Sequence, residues 1–266
     1  GPDGCLYILD WYDRYHCYQD ANADPEGIER AKGRLYRVRY KDNPHAQPFD
    51  LTEKTDEELI TLLGDPNIYY RETAQRLLSE RNNPDTAAKL HSIVFNQELE
   101  QTERLSALFA WAGMSGEHRP HNLFGYESDK IDAAISPWIT RLMFSDSEVR
   151  EQITDQLNKN QRGDQVGRWL RRSDEYDEPA THLQLVIGYA KLDHPAVMRI
   201  LVHRLAHCGD DPLIPHIVWQ NLEPLLEDHT AEFLEIVSEY DLKETPNLAN
   251  LMPRITERLL DRGQEE

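Results

Sequence analysis

The stretch Thr55-Asp56-Glu57-Glu58-Leu59-Ile60-Thr61-Leu62-Leu63-Gly64-Asp65-Pro66 decides the fold class. A threonine with a glutamate three residues later is a capping box, in which each side chain satisfies the other's backbone amide at a helix start. Leu59, Leu62 and Leu63 then fall on one helical face, and Gly64 followed by Asp65-Pro66 stops the helix. Tyr70, Ala74, Leu77 and Leu78 share the face of a second helix, which breaks at Asn82-Asn83-Pro84. The spacing predicts a helical hairpin over 55–81.

Two later stretches repeat that scheme. Phe144-Ser145-Asp146-Ser147-Glu148-Val149-Arg150 leads to Ile153 and Leu157, and Leu192-Asp193-His194-Pro195-Ala196-Val197-Met198-Arg199 leads to Leu201 and Leu205. An aspartate turn, an arginine in the following first turn (Arg71, Arg150, Arg199) and an apolar helix resemble the HEAT repeat. Such a helical pair cannot bury its apolar stripe alone, so neighbours must stack. Further pairs fit 85–113, 212–227 and 231–260. The expected fold is mainly α, a HEAT-like solenoid of about five or six helical pairs. Two segments interrupt it, 114–128 with His118 and His121, and the acidic stretch 171–179.

Working back toward the N-terminus, the pattern changes period. Gly1-Pro2-Asp3-Gly4 is turn chemistry, Leu6-Tyr7-Ile8-Leu9 is a short apolar run, and residues 34–40 alternate apolar with basic side chains. Two strands joined by a long loop, rich in aromatic and acidic residues, are predicted over 1–41. Residues 42–50 read as a linker and 51–266 as the helical repeat domain. The chain opens in the turn before a strand, without a starting methionine or a leader. It is therefore expected to be part of a longer polypeptide. An isolated strand pair is marginal, so the β segment is expected to be the tail of a larger β domain.

Composition narrows the function classes. With 39% hydrophobic and 29% charged residues, the chain is globular in type. Its formal charge of −19 repels a phosphate backbone, so nucleic acid is not an expected partner. No apolar run approaches the roughly 20 residues that span a bilayer. Cys5, Cys17 and Cys208 have neither zinc-ribbon nor CxxCH spacing, and no GxGxxG or Walker loop occurs.

Candidate chemistry is sparse. Asp20, Asn22 and Asp24 alternate as the first ligands of a calcium loop do, but Pro25 and Ala31 stand where the motif requires glycine and a bidentate glutamate. A solvated loop with Asx turns is the alternative. His203 and His207 lie one helical turn apart beside Cys208, yet Arg204 occupies the position of a zincin's general base. A structural metal site and a plain polar helix face both remain open there. Cys5 and Cys17 either pair or stay as thiols.

The combination of Gly1-Pro2-Asp3-Gly4, Leu6-Tyr7, Asp10-Trp11-Tyr12-Asp13, the stretch from Gly33 to Val38 and a HEAT-like array resembles the large membrane-bound dehydrogenases of planctomycete-type bacteria. The stretch Asp211-Pro212-Leu213-Ile214-Pro215 with Trp219 and Leu222-Glu223-Pro224-Leu225-Leu226 is similar to their solenoid. That family joins a propeller like those of glucose or sorbosone dehydrogenases to a HEAT-like solenoid and a c-type cytochrome module. The resemblance implies that residues 1–41 end the propeller and that 51–266 connect it to the cytochrome. It implies an extracytoplasmic setting and a parent enzyme linked to haem c or a quinone, with calcium as a further cofactor. Chemistry is not expected of this stretch alone, since without CxxCH it attaches no haem. The partners so implied are the propeller and cytochrome domains of the same polypeptide. Asp10, Asp13, His16 and Asp20 would then face the propeller cavity, the first three as the acid–base candidates, with Trp11 and Tyr12 as walls. In the competing structural reading, Trp11 and Tyr12 pack the strand end on the first helices and Asp13 pairs with Arg14, Arg34 or Arg37. The other functional class is a free-standing HEAT-type scaffold whose concave surface takes a protein partner.

Overall fold

The computed structural model describes residues 1–13, 28–118, 133–159 and 179–261. Two antiparallel strands, β1 (Leu6–Asp13) and β2 (Ile28–Val38), come first. Leu6 lies opposite Val38, Ile8 opposite Tyr36 and Asp10 opposite Arg34, with an irregularity between Trp11 and Asp13. Both strands run further than their apolar cores indicate, so the residues between them are 14–27 rather than the expected 10–33. The stretch 40–50 has neither helix nor strand, and a single 3-10 turn at Leu51–Glu53 leads into the helices.

Ten α-helices follow among the described residues. The first hairpin is α1 (Asp56–Leu62) and α2 (Ile68–Arg81). Thr55 and Glu58 form the reciprocal capping box, and the Asn67 side chain accepts from the Tyr69 amide at the start of α2. Asn82 ends α2 in the left-handed region, at φ 51° and ψ 43°, and Asn83 caps α3 (Pro84–Val94), whose Pro84 sits in the first turn. The chain continues through α4 (Gln101–Ala112), α5 (Ser136–Ser145), α6 (Ser147–Lys159), α7 (Pro179–Tyr189) and α8 (Ala196–Ala206).

The C-terminal end departs from the sequence reading in part. Residues 212–227 and 231–260 read as separate pairs; the first is a single helical stretch, while α9 (Ile214–Ser238) is divided by a kink at His229, with φ −125° and ψ 30°, at the expected break, and α10 spans Pro246–Asp261. Leu226 and Phe233, on either side of the kink, are both buried, so the bend keeps one apolar face on the core.

The principal helix contacts join neighbours and next-but-one neighbours along the chain: α1 with α2, α2 with α4, α3 with α4, α5 with both α6 and α7, α7 with α8 and α9, and α8 with α9 and α10. The Phe109 and Trp138 rings meet edge to face at 5.0 Å, linking α4 to α5. One apolar cluster runs through all of this from Leu51 to Ile255, and among the residues whose burial is described none before Leu51 belongs to it. The helices are held by one shared core.

The three arginines of the recurring turns behave in two ways. Arg71 donates to the Asp65 carbonyl at 2.6 Å and Arg150 to the Phe144 carbonyl at 2.9 Å, each six residues back. The Phe144 carbonyl lies in the last turn of α5, which leaves it open, and the Asp65 carbonyl lies in the turn between α1 and α2. Asp146 adds the complementary cap, accepting from the Glu148 and Val149 amides. Arg199 instead reaches across to Glu239, through two bonds of 2.6 and 3.0 Å. At that turn His194 takes the capping role, its Nδ1 lying 3.0 Å from the Ala196 amide.

Among the described residues, no helix is long and apolar enough to cross a membrane.

Candidate functional site

The base of the ribbon is built around a single carboxylate. Gly1 to Gly4 form a turn closed by the Gly4 amide on the Gly1 carbonyl, and Gly4 takes a φ of +73° that its lack of a Cβ makes easy. This aims Asp3 at the ribbon. One carboxylate oxygen accepts from the Cys5 amide at 3.0 Å, and the other accepts from Tyr7 Oη at 2.9 Å and Arg37 Nε at 2.6 Å. The Asp3 side chain is only 2% exposed. Its enclosure pushes the carboxyl up, but the Cys5 amide, Arg37 and Tyr7 outweigh that and hold it well below the usual carboxylate range.

Arg37 extends the network. Its Nη2 donates to the Asn43 and Pro44 carbonyls, while Asn43 Nδ2 donates to the Asp3 carbonyl and lies 3.3 Å from Cys5 Sγ. Asn67, at the N-cap of α2, donates to the Gly1 and Pro2 carbonyls at 3.1 and 3.2 Å. The start of β1, the end of β2, the linker and the first hairpin thus meet through Asp3, Arg37, Asn43 and Asn67. The sequence reading offered Asp13 as a partner for Arg37; the ion pair is made by Asp3.

Beyond this base the described apolar side chains of the ribbon are uncovered. Leu6, Ile8, Tyr36 and Val38 line one face, and Tyr7, Leu9 and Leu35 the other; all are exposed, Leu9 at 85% and Leu35 at 63%. Asp10 lies 3.6 Å from Arg34 in a half-exposed ion pair, and Trp11, Tyr12 and Asp13 follow in β1. His16, Asp20, Asn22 and Asp24 lie outside the described residues, as does Cys17. Cys5 is a buried free thiol.

The rings of His203 on α8 and His207 at its C-cap are tilted by 39°, with centroids 4.4 Å apart. His207 Nδ1 lies 2.8 Å from the His203 carbonyl, and His203 Nδ1 lies 3.3 Å from Tyr240 Oη. Cys208 turns away into the core, donating to the Leu205 carbonyl and accepting from Asn247. Burial pushes its thiol up, which makes it a poor ligand or nucleophile. Among the described residues, no group of three or more His, Cys, Asp or Glu side chains is placed to hold a metal ion. A cavity of about 220 Å³ lies between 190–198 and α9, lined by His194, Asn221, His229 and Glu232 among apolar neighbours. It is smaller than the 300 Å³ or so at which ligand pockets begin.

Composition already pointed to the apolar strands; the Asp3–Arg37 pair was missed. Its only sequence signal was an aspartate in a turn and an arginine in an alternating strand, 34 residues apart. No family model matches this chain, and neither a curated protein nor a solved structure is detectably similar to it.

Proposed function

We propose that the chain is a structural and interaction segment: a HEAT-like helical array of about five or six pairs carrying the last strands of a β-propeller at its N-terminal end. In this reading it joins the propeller to a cytochrome c module within an extracytoplasmic dehydrogenase. The array fixes the distance between the two modules, and any haem, quinone or calcium belongs chiefly to those neighbours. The observation that carries the reading is the ribbon, whose two apolar faces are both uncovered. Strands that read as unbroken apolar runs are buried on both sides in finished sheets, and a ribbon of two strands has no such cover of its own. The principal helix contacts among the described residues, which join near neighbours along the chain, and one continuous core support the array half of the proposal.

Hydrogen exchange tests this. In the chain alone, the amides of 6–10 and 34–38 should exchange with little protection, while those of α2 and α4 exchange slowly. Joined to the polypeptide that naturally precedes Gly1, the same ribbon amides should slow by about a hundredfold or more. Unchanged ribbon exchange in the longer protein would contradict the reading. It would leave the free-standing scaffold, with its partner on the helical array.

A further inference from the structure

We infer that a cavity at the first turns of α5 and α7 binds a small aromatic carboxylate, an organic anion of one or two rings. The inference goes beyond the reading of the chain as a connector and concerns the helical body alone. The cavity has a volume of about 300 Å³. That is the lower end of the range for ligand pockets, and about twice the roughly 150 Å³ that holds benzene. Trp138 and Arg141 of α5 line it from positions three apart, and Ala180 and Gln184 of α7 from positions four apart, so each helix gives one face to the same space. Pro137 and Gln101, the first residue of α4, complete the polar and apolar lining that the argument uses.

Charge selects the anion. The chain carries −19 overall, yet this lining holds one cation, Arg141, and no acid. Among the described residues the Arg141 guanidinium pairs with no carboxylate and lies 5.9 Å from the centre of the Trp138 ring. A guanidinium held over a ring keeps its in-plane N–H groups for a carboxylate fork. α5 and α7 both begin at the cavity, and the start of α5 has no side-chain cap, so the positive ends of two helices add to the arginine. The remaining negative charge of the chain is screened beyond about 8 Å at physiological salt. Shape selects the ring. Trp138 is a flat wall fixed edge to face by Phe109 at 5.0 Å, and Pro137 and Ala180 add small apolar surface. An inorganic anion leaves that wall uncovered and a neutral ring leaves Arg141 unpaired, whereas an aromatic carboxylate meets both.

The test titrates the chain as it stands with 3-phenylpropionate, 2-phenylethylamine and acetate, by calorimetry and by the indole N–H signal of Trp138, assigned with Trp138→Phe. Phenylpropionate should bind about tenfold or more tightly than either the amine or acetate, and should move the Trp138 signal. Arg141→Glu should reverse the preference between acid and amine. Arg141 is exposed, so the exchange leaves the core intact, and a swapped preference is a result that misfolding does not produce. Binding of neither aromatic probe, equal binding of acid and amine, or acetate binding as well as phenylpropionate would each overturn the inference. So would acid binding that survives Arg141→Glu or leaves the Trp138 signal unmoved. Acid binding seen only after Asp174, Glu175, Asp177 and Glu178 are neutralised would assign the cavity to the chain's own acidic stretch, and would overturn it too. A propeller found or missing upstream leaves this result untouched.

Discussion

Gly188→Ala should destabilise the helical body by about 2–4 kcal/mol, although alanine favours a helix by up to roughly 1 kcal/mol over glycine. A Cβ built at Gly188 falls against Cδ2 and Cγ of Phe144, closer than any real Cβ contact. Phe144 cannot give way cheaply. It is 1% exposed, and its ring packs on Tyr189 at 5.2 Å. Glycine therefore allows α5 and α7 to approach with the ring between them. Denaturant melts of Gly188→Ala, Phe144→Leu and the double variant should show strong coupling, with the leucine recovering a good part of the loss. An alanine variant as stable as the parent would mean that α5 and α7 do not meet at this point.

Asp56→Ala is expected to cost about 2–4 kcal/mol, because it leaves several donors without a partner at once. The carboxylate accepts from Arg81 at 2.8 Å, from Asn83 at 3.1 Å and from the buried Thr86 hydroxyl. It ties the first turn of α1 to the end of α2 and the start of α3. Burial pushes the Asp56 carboxyl up, but Thr86, Arg81 and Asn83 more than offset this and hold it below the ordinary value. The sign of the pH effect follows. A group with a lowered folded pKa contributes fully above its unfolded value, near 3.9, and loses that contribution as pH falls through the folded value. The gap between parent and Asp56→Ala should be constant near neutrality and shrink only below about pH 4. A gap that narrowed between pH 6 and 8 would point to a different group.

What the sequence made legible follows from the range over which each signal acts. The α1–α2 hairpin was readable because its capping box, its Asp-Pro stop and the Asn82-Asn83-Pro84 break all act within a few residues. The two-stranded ribbon was readable for the same reason, though its strands extend past their apolar cores into Trp11–Asp13 and 28–32. Strand length is set by pairing across the ladder, which no local pattern encodes. The break expected between 227 and 231 falls at the kink of His229, whereas the reading of 212–227 as a pair was not met, because tertiary packing buries Ile214, Val218, Leu222 and Leu226 along one helical stretch. The departure of Arg199 has a similar origin. The same turn motif recurs, but Glu239 at the C-cap of α9 offers a charged partner that the turns at Arg71 and Arg150 do not use.

The site was less legible than the fold. Asp3, Arg37, Asn43 and Asn67 are separated by up to 64 residues, and they meet only because the ribbon's register and the linker path bring them together. The exposed apolar faces, by contrast, were present in Leu6-Tyr7-Ile8-Leu9 from the start, since such a run needs a cover on both sides.

The central claim is that this chain completes a β domain lying before it and leads to an electron-transfer module after it. The most direct measurement is to sequence the natural coding region on both sides of Gly1 and Glu266. The account predicts repeated four-stranded blades upstream and a CxxCH motif downstream. A start codon immediately before Gly1 with a stop codon after Glu266 would contradict it.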